Sequence, residues 1–161
     1  MPSSDNKMPK FHNFLFDQNI FVKYSKILRG SSSTLSVKMH FSSVVLYELT
    51  ATTISADDLG FYENLRKMHD KKGTLITPDK TDWWETAKLI RRLRFGDKSA
   101  SHGLTPKLQH AHQLQNDALI ARTATLAKCY VVTEDTDDFY QFQPFLPNLE
   151  VVSNIEFFGE N

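Results

Sequence analysis

Short apolar runs and amphipathic segments alternate along most of this chain. Five of the apolar runs have the length and composition of β-strands, and they cover residues 11–16, 35–41, 74–77, 130–132 and 149–152. The second of them alternates apolar with polar positions, which is typical of a strand with one drier face. The pattern therefore predicts five strands that are separated by longer segments.

These longer segments place apolar residues at the three- and four-residue spacing of helices. They predict helices over 19–28, from 42 or 43 to about 53, from 55 to 72, over 81–95 and over 105–128. A serine can cap the second of these helices, and Ser55 followed by Asp58 resembles a capping box at the start of the third. Because strands alternate with helices, the sequence predicts a three-layer α/β/α sandwich with a mainly parallel central sheet.

The bulk composition fits one compact domain. The chain has 161 residues, of which 40% are hydrophobic, and it contains neither an internal repeat nor a linker that would separate two domains. Residues 1–10 are polar and are predicted to form a disordered tail, so that residues 11–161 form a single domain. Lysine and arginine (19 residues) balance aspartate and glutamate (19 residues), so the net charge does not indicate a dedicated nucleic-acid binder.

The cysteine content and the lack of long apolar segments argue against a disulfide-bonded, a zinc-binding, a secreted or a membrane protein. Because Cys129 is the only cysteine, neither a disulfide within the chain nor a multi-cysteine zinc site can form. The N-terminal residues lack the apolar run of a signal peptide, and no segment approaches the roughly 20 apolar residues that a membrane helix requires. The sequence therefore predicts a cytoplasmic protein with no membrane partner.

Four acidic residues stand where a charge is costly or points into a ligand-binding crevice. Asp17 directly follows an apolar strand, and Asp135 follows the run 130–133. The carboxyl ends of parallel strands meet at one edge of a sheet, and α/β proteins bind ligands at that edge. Glu48 and Asp117 lie within otherwise apolar helical segments, from which they can face the two acids at the strand ends.

Carboxylates that are brought together in this way repel one another and raise each other's pKa. A divalent cation removes the conflict, and a ligand set made only of oxygen atoms favours Mg²⁺ or Mn²⁺ over Zn²⁺. Such an ion polarises a phosphoryl oxygen and turns water into a usable nucleophile. The four acids therefore indicate hydrolysis of a phosphodiester bond.

Each acid also has an ordinary structural explanation. Asp17 and Asp135 would fit as N-caps of a following helix or turn, which is a common role for aspartate after a strand. Asp117 would fit as a surface acid in mid-helix, and Glu48 as the partner of an arginine. For any one residue the structural explanation is the more common one, and only the combination of four points to chemistry.

Four segments of the chain resemble the motifs of a PIN domain, and more narrowly those of the VapC-type toxins of prokaryotic toxin–antitoxin pairs. They occur in the family's order and cover residues 14–20, 42–49, 116–121 and 131–139. The first is an apolar run followed by Asp-x-Asn, and in the second a serine begins a helix and a glutamate follows. The resemblance extends over residues 11–152 and implies a PIN-like fold.

The resemblance implies a metal-dependent endoribonuclease that uses Mg²⁺, with Mn²⁺ as an alternative. The acids that it makes catalytic are Asp17, Glu48, Asp117 and Asp135. Three of these, Asp17, Asp117 and Asp135, would hold the metal.

The resemblance also assigns residues that support the acids. Asn19 and Thr133 would orient carboxylates or water, and Asp138 would be a further ligand or a supporting residue. The fourth acid is therefore either Asp135 or Asp138. Gln18 departs from the family pattern, because Thr or Ser is usual at that position.

The partners that the resemblance implies are an RNA substrate, a separately encoded cognate antitoxin and a second copy of the chain in a homodimer. The leading interpretation is an RNA-cleaving toxin. The alternatives are a PIN nuclease of RNA processing or decay, and a catalytically silent PIN-like interaction module. The intact acids argue against the silent module, since packing does not require buried charge at these positions.

The densest group of basic residues, Arg91, Arg92, Arg94 and Lys98, has two interpretations. Cations are favourable at the C-terminal end of a helix because they offset its dipole. The three arginines could instead contact RNA phosphates, which contribute affinity but little sequence information.

Two adjacent tryptophans, Trp83 and Trp84, also have two interpretations. Indole rings can stack on unpaired bases. Their helical spacing with Ala87 and Ile90 favours a role in the core or in a dimer contact.

Overall fold

A five-stranded sheet lies at the centre of residues 13–30, 38–95 and 111–159, which are the residues that the computed structural model describes. The strands are β1 (Asn13–Phe16), β2 (Lys38–Ser42), β3 (Leu75–Ile76), β4 (Cys129–Thr133) and β5 (Glu150–Ser153). Their order across the sheet is β3-β2-β1-β4-β5, and every neighbouring pair is parallel. The predicted α/β/α class with a mainly parallel sheet is confirmed.

Seven helices connect and follow these strands within the described ranges. They are α1 (Gln18–Gly30), α2 (Ser43–Thr52), α3 (Ala56–Lys72), α4 (Lys80–Phe95), α5 (Ala111–Ala127), α6 (Thr136–Tyr140) and α7 (Asn154–Phe158). The side chain of Ser42 accepts a hydrogen bond from the amide of Val44, and Ser55 caps α3 in the same manner through Asp58. None of these helices combines the length and apolarity that crossing a membrane would require.

The last two helices were not predicted from the sequence. Each has five residues, which is too short for a helical period to show in the sequence pattern. Helix α7 nevertheless covers part of the core: the ring centre of Phe157 lies 4.9 Å from that of Phe14 and 5.1 Å from that of Phe16. The sequence pattern predicted no helix after the final strand, so α7 was missed. The predicted tail at 1–10 and the predicted start of α5 at 105–110 lie outside the described residues.

The two central strands, β1 and β4, determine where the predicted acids lie in the sheet. The side chains of Leu15, Phe16, Val131 and Val132 are fully buried, as expected for parallel strands that are covered on both faces. Phe16 lies opposite Val132, so β1 and β4 end at the same level of the sheet. The amide of Asp17 donates a 3.0 Å hydrogen bond to the carbonyl of Val132, which extends the pairing of the two strands by one residue. The residues after both strands therefore emerge side by side.

Candidate active site

A pocket of about 280 Å³ opens at this carboxyl edge of the sheet. The residues that line it are Asp17, Gln18, Asn19, Glu48, Asp117, Asp135, Asp138 and Phe139. The structure thus brings together the four acids that the sequence singled out, although they come from β1, α2, α5 and the turn before α6. Asn19 and Asp138 share the pocket, and Thr133 lies directly behind it.

Asp17 is buried, and both of its carboxylate oxygens have donors. Oδ1 accepts a 2.7 Å hydrogen bond from the amide of Gln18, and Oδ2 accepts a 3.0 Å hydrogen bond from the hydroxyl of Thr133. The amide of Gln18 is the first of α1, whereas an N-cap side chain usually accepts from the second or third amide of its helix. Asp17 also shares the pocket with four other acids, Glu48, Asp117, Asp135 and Asp138, which capping does not require.

Thr133 is the centre of a hydrogen-bond network that joins β1, α1 and the end of β4. Its hydroxyl is fully buried, donates to Asp17 and accepts from the side-chain amide of Asn19 at 3.1 Å and from the backbone amide of Asp135 at 3.1 Å. Asn19 continues the network, because its Nδ2 lies 3.4 Å from Oδ2 of Asp135 and its Oδ1 accepts from the amide of Glu134. The network fixes the turn that carries Asp135 against the start of α1.

Glu48 is half-buried on α2 and is held by an amide from a neighbouring helix. Its Oε1 accepts a 2.8 Å hydrogen bond from Nδ2 of Asn116 on α5. The partner that the structure gives Glu48 is therefore an asparagine and not an arginine. Asn116 was not identified as a site residue from the sequence, where its only signal is its place directly before Asp117.

The electrostatics of the pocket are dominated by burial and by repulsion among the acids. The pKa of Asp117 is raised to about 7, first by desolvation and then by the charges of Asp17, Glu48, Asp138 and Asp135. Desolvation also raises the pKa of Asp17 and of Glu48, and further acids add to both shifts. Asp117 is partly buried and coupled to the other acids, so the surface-acid explanation does not fit it.

Asp135 and Asp138 are both exposed and both line the pocket. Asp135 occupies the N-cap position of α6, yet its side chain makes no capping hydrogen bond. Asp135 raises the pKa of Asp17 more than Asp138 does, and Asp138 raises the pKa of Asp117 more than Asp135 does. Both acids therefore act on Asp17 and on Asp117, and the identity of the fourth acid stays a prediction.

The donor set of the pocket has the chemistry that Mg²⁺ and Mn²⁺ prefer. Its acidic members offer only oxygen atoms, and none of the described residues that line it is a histidine or a cysteine. In the described part of the chain, no three Asp, Glu, His or Cys side chains converge closely enough to hold one ion. The acids thus share one pocket, and a cation would relieve the repulsion among them. Their side chains are not yet close enough together to coordinate an ion.

The arginines proposed for RNA lie at the end of α4 and outside the acidic pocket. Arg91 and Arg92 are exposed, Arg94 is partly buried, and the guanidinium carbon of Arg92 lies 4.8 Å from the ring centre of Phe145. Lys98, the fourth member of the basic group, lies outside the described residues.

The two tryptophans are exposed, so a position in the core was wrong, and a role in a dimer contact stays a prediction. Trp83 is 48% exposed and Trp84 65%. The buried positions of α4 are instead Asp82, Thr86 and Leu89. Asp82 can occupy the buried face because Arg122 on α5 pairs with it at 2.9 Å.

Comparisons with known proteins agree with this architecture. The family model for the PIN domain matches residues 11–143. A comparison with curated protein sequences gave no match.

Several solved structures share the fold. DNA-bound VapBC from Salmonella typhimurium has 18% sequence identity and a TM-score of 0.53, over 88% of this chain and 97% of that one. VapBC-1 from nontypeable Haemophilus influenzae has 14% identity and a TM-score of 0.53, over 88% and 97%. VapBC2 from Rickettsia felis, bound to a promoter DNA fragment, has 19% identity and a TM-score of 0.50, over 88% and 98%. The chain belongs to the PIN-domain family of nucleases.

Proposed function

We propose that this chain is an endoribonuclease that depends on Mg²⁺ or Mn²⁺. The observation that carries the proposal is the convergence of four acids from separate elements on one pocket, with the pKa of Asp117 raised to about 7. Asp17, Asp117 and Asp135 would hold the metal, and Glu48 would complete the catalytic set. Asp138 would act as a further ligand or would orient one.

The chain's own residues would prepare this pocket for phosphodiester hydrolysis. A bound divalent ion would polarise a phosphoryl oxygen and lower the pKa of the attacking water. Thr133 would keep the Asp17 carboxylate in one orientation through its 3.0 Å hydrogen bond. Glu48, held through Oε1 by Asn116, would accept a proton from the water, because its raised pKa makes it a better base near neutral pH.

The RNA backbone would contact Arg91, Arg92 and Arg94 in the last turns of α4. Helix α4 packs against α5, and α5 carries Asp117. The three arginines therefore lie on a helix that contacts the helix of one acid. Contacts of this kind would add affinity without selecting a sequence.

The test of this activity is cleavage of single-stranded RNA by the purified chain. With Mg²⁺ or Mn²⁺ present, RNA should be cut at internal positions. EDTA should abolish cleavage, and an excess of Mg²⁺ should restore it. DNA of the same sequence serves as the control and should stay intact. Cleavage that persists in EDTA, or cleavage of the DNA alone, would contradict the proposal.

We further propose that the chain is the toxin of a toxin–antitoxin pair. Its motifs resemble those of VapC-type toxins, and the solved structures that share its fold include VapBC complexes. A cognate antitoxin would neutralise the nuclease in the cytoplasm, and the toxin would act as a homodimer.

Expression in a bacterial host tests this role in the cell. The chain should arrest growth, and co-expression of the short open reading frame beside its gene should relieve the arrest. An Asp117→Asn variant produced at the same level is the control and should allow growth. If the active chain accumulates and growth continues, an RNA-processing nuclease becomes the better description.

A further inference from the structure

A second and larger pocket, of about 600 Å³, adjoins the acidic one. Glu48 lines both pockets, and its hydrogen-bond partner Asn116 lines the second. Tyr47 and Asn116, which line the second pocket, directly neighbour Glu48 and Asp117 in the sequence. The two pockets therefore meet at Glu48, and a ligand that is longer than one pocket can occupy both.

Two exposed aromatic side chains line this second pocket. Tyr47 on α2 is 67% exposed and Trp83 on α4 is 48% exposed. Large aromatic surfaces of this kind are more often buried, and their concentration around one pocket marks a binding site. Aromatic side chains provide the surfaces on which proteins stack unpaired bases of single-stranded nucleic acids.

The remaining lining residues favour a neutral planar ligand over a phosphate. Among the described residues that line the pocket, Glu48 is the only charged one, and its carboxylate would repel a phosphate. Gln115 and Asn116 contribute side-chain amides, which can donate to and accept from the edge of a base. The volume of the pocket also falls in the range of roughly 300–1,000 Å³ that is typical of small-molecule sites.

We propose that this pocket binds one unpaired nucleobase of the RNA, next to the phosphodiester that lies at the acids. The base would stack on Trp83 or Tyr47, and its edge would face Gln115 and Asn116. The inference rests on the proposed ribonuclease function. It adds that the RNA must be unpaired beside the cleaved bond and that the base at this position contributes to selectivity.

Tryptophan fluorescence tests the binding step without any cleavage. The chain has two tryptophans, so a Trp84→Phe variant reports on Trp83 alone and a Trp83→Phe variant reports on Trp84 alone. Titration with a short single-stranded RNA in EDTA should quench the Trp83 signal and leave the Trp84 signal unchanged. Fluorescence anisotropy of labelled RNA measures binding in parallel. Bound RNA without selective quenching of Trp83 would overturn the inference.

Cleavage kinetics test whether the base is used by the enzyme. Trp83→Ala should lower kcat/KM on single-stranded RNA about tenfold or more, which corresponds to the loss of one stacked base. Trp84→Ala is the matched control, because Trp84 does not line the pocket, and it should match the wild type. An abasic site beside the cleaved bond should remove the difference between Trp83→Ala and the wild type. Tyr47→Ala provides a second variant on a different helix.

The outcomes separate this inference from the function on which it rests. If RNA quenches the fluorescence of Trp83 but the wild-type chain does not cleave the RNA, the ribonuclease proposal is contradicted and the proposed base-binding pocket is supported. Active Trp83→Ala and Tyr47→Ala variants with wild-type kcat/KM would overturn the pocket and leave the ribonuclease intact. If those active variants instead lose affinity only for the antitoxin, the pocket is a protein-binding site and the inference is wrong.

Discussion

Replacing Asp117 by asparagine is expected to lower metal-dependent RNA cleavage by roughly 100-fold or more, because the variant loses a carboxylate that would hold the ion. The same substitution should stabilise the metal-free protein. Asp117 is partly buried beside Asp17 and Glu48, and in the folded state its charge is opposed by desolvation and by theirs. An uncharged amide of the same size removes both penalties. At pH 7 we expect a gain of about 1–4 kcal/mol, since one unit of pKa shift corresponds to about 1.4 kcal/mol, and a rise in Tm of roughly 2–4 °C for each kcal/mol.

The stabilising effect should depend on pH with a definite sign. In the folded protein the pKa of Asp117 is about 7, whereas the ordinary value is 3.8. Between these values the folded state retains a proton that the unfolded state has released, so the stability of the wild type falls as pH rises. The asparagine variant lacks this group. Its advantage in Tm should therefore grow from about pH 4 to pH 7 and stay constant above pH 7.

Differential scanning calorimetry in EDTA across this pH range measures the effect, and Asp137→Asn is the matched control. Asp137 is an exposed acid in the first turn of α6, close to the pocket in sequence but outside its lining. The control should change neither the cleavage rate nor the pH dependence of Tm. Added Mg²⁺ should raise the Tm of the wild type more than that of Asp117→Asn. Equal responses to Mg²⁺ would remove Asp117 from the proposed metal ligands.

The location of the acids could be predicted because buried parallel strands leave a strong signal in the sequence. Both β1 and β4 are runs of apolar residues, and each is followed after its end by an aspartate. A parallel sheet brings such positions to one edge, so Asp17 and Asp135 were expected at the same edge, and the pairing of β1 with β4 places them side by side. The helical acids Glu48 and Asp117 were identified as unusual charges within apolar segments.

The hydrogen bonds that orient these acids could not be predicted, because they depend on register and on helix rotation. Thr133 reaches Asp17 only because Phe16 lies opposite Val132, and nothing in either segment alone fixes that pairing. Asn116 reaches Glu48 only because α5 presents it toward α2. The motifs named Asn19 and Thr133 as supporting residues, but they left open which atoms these residues contact, and they did not identify Asn116 as the partner of Glu48.

The orientation of α4 was the clearest failure of the sequence pattern. The apolar spacing of Trp83, Ala87 and Ile90 predicted a buried face, yet the buried face is one position earlier on the helix, at Asp82. An acid on that face is unfavourable unless it is paired, and its partner Arg122 lies 40 residues away in the sequence. A pattern that counts only apolar residues cannot detect such a pair. The consequence is functional, since the exposed ring of Trp83 lines the second pocket.

The second large effect is expected from Thr133→Val, which keeps the size of the side chain and removes its hydroxyl. Asp17 then loses its donor at Oδ2, and the amide of Asp135 and the side chain of Asn19 lose an acceptor. We expect the variant to be less stable by about 1–3 kcal/mol, because polar groups that are partly or fully buried lose their partners. Cleavage should fall roughly 10- to 100-fold, as for other residues that orient metal ligands.

The pH profile distinguishes this positioning role from simple destabilisation. The hydrogen bond from Thr133 lowers the pKa of Asp17 against the effect of burial, so its removal should raise that pKa further. The acidic limb of the pH–rate profile should therefore move to higher pH, since Asp17 must be ionised to hold the ion. Thr133→Ser restores the hydroxyl and should return the limb to its original position. Thr123→Val removes another buried hydroxyl, one that bonds to backbone carbonyls within α5, and should leave the profile unchanged. If Thr133→Val loses stability as expected but keeps the wild-type profile, then Thr133 supports the fold of this edge without tuning the carboxylate of Asp17.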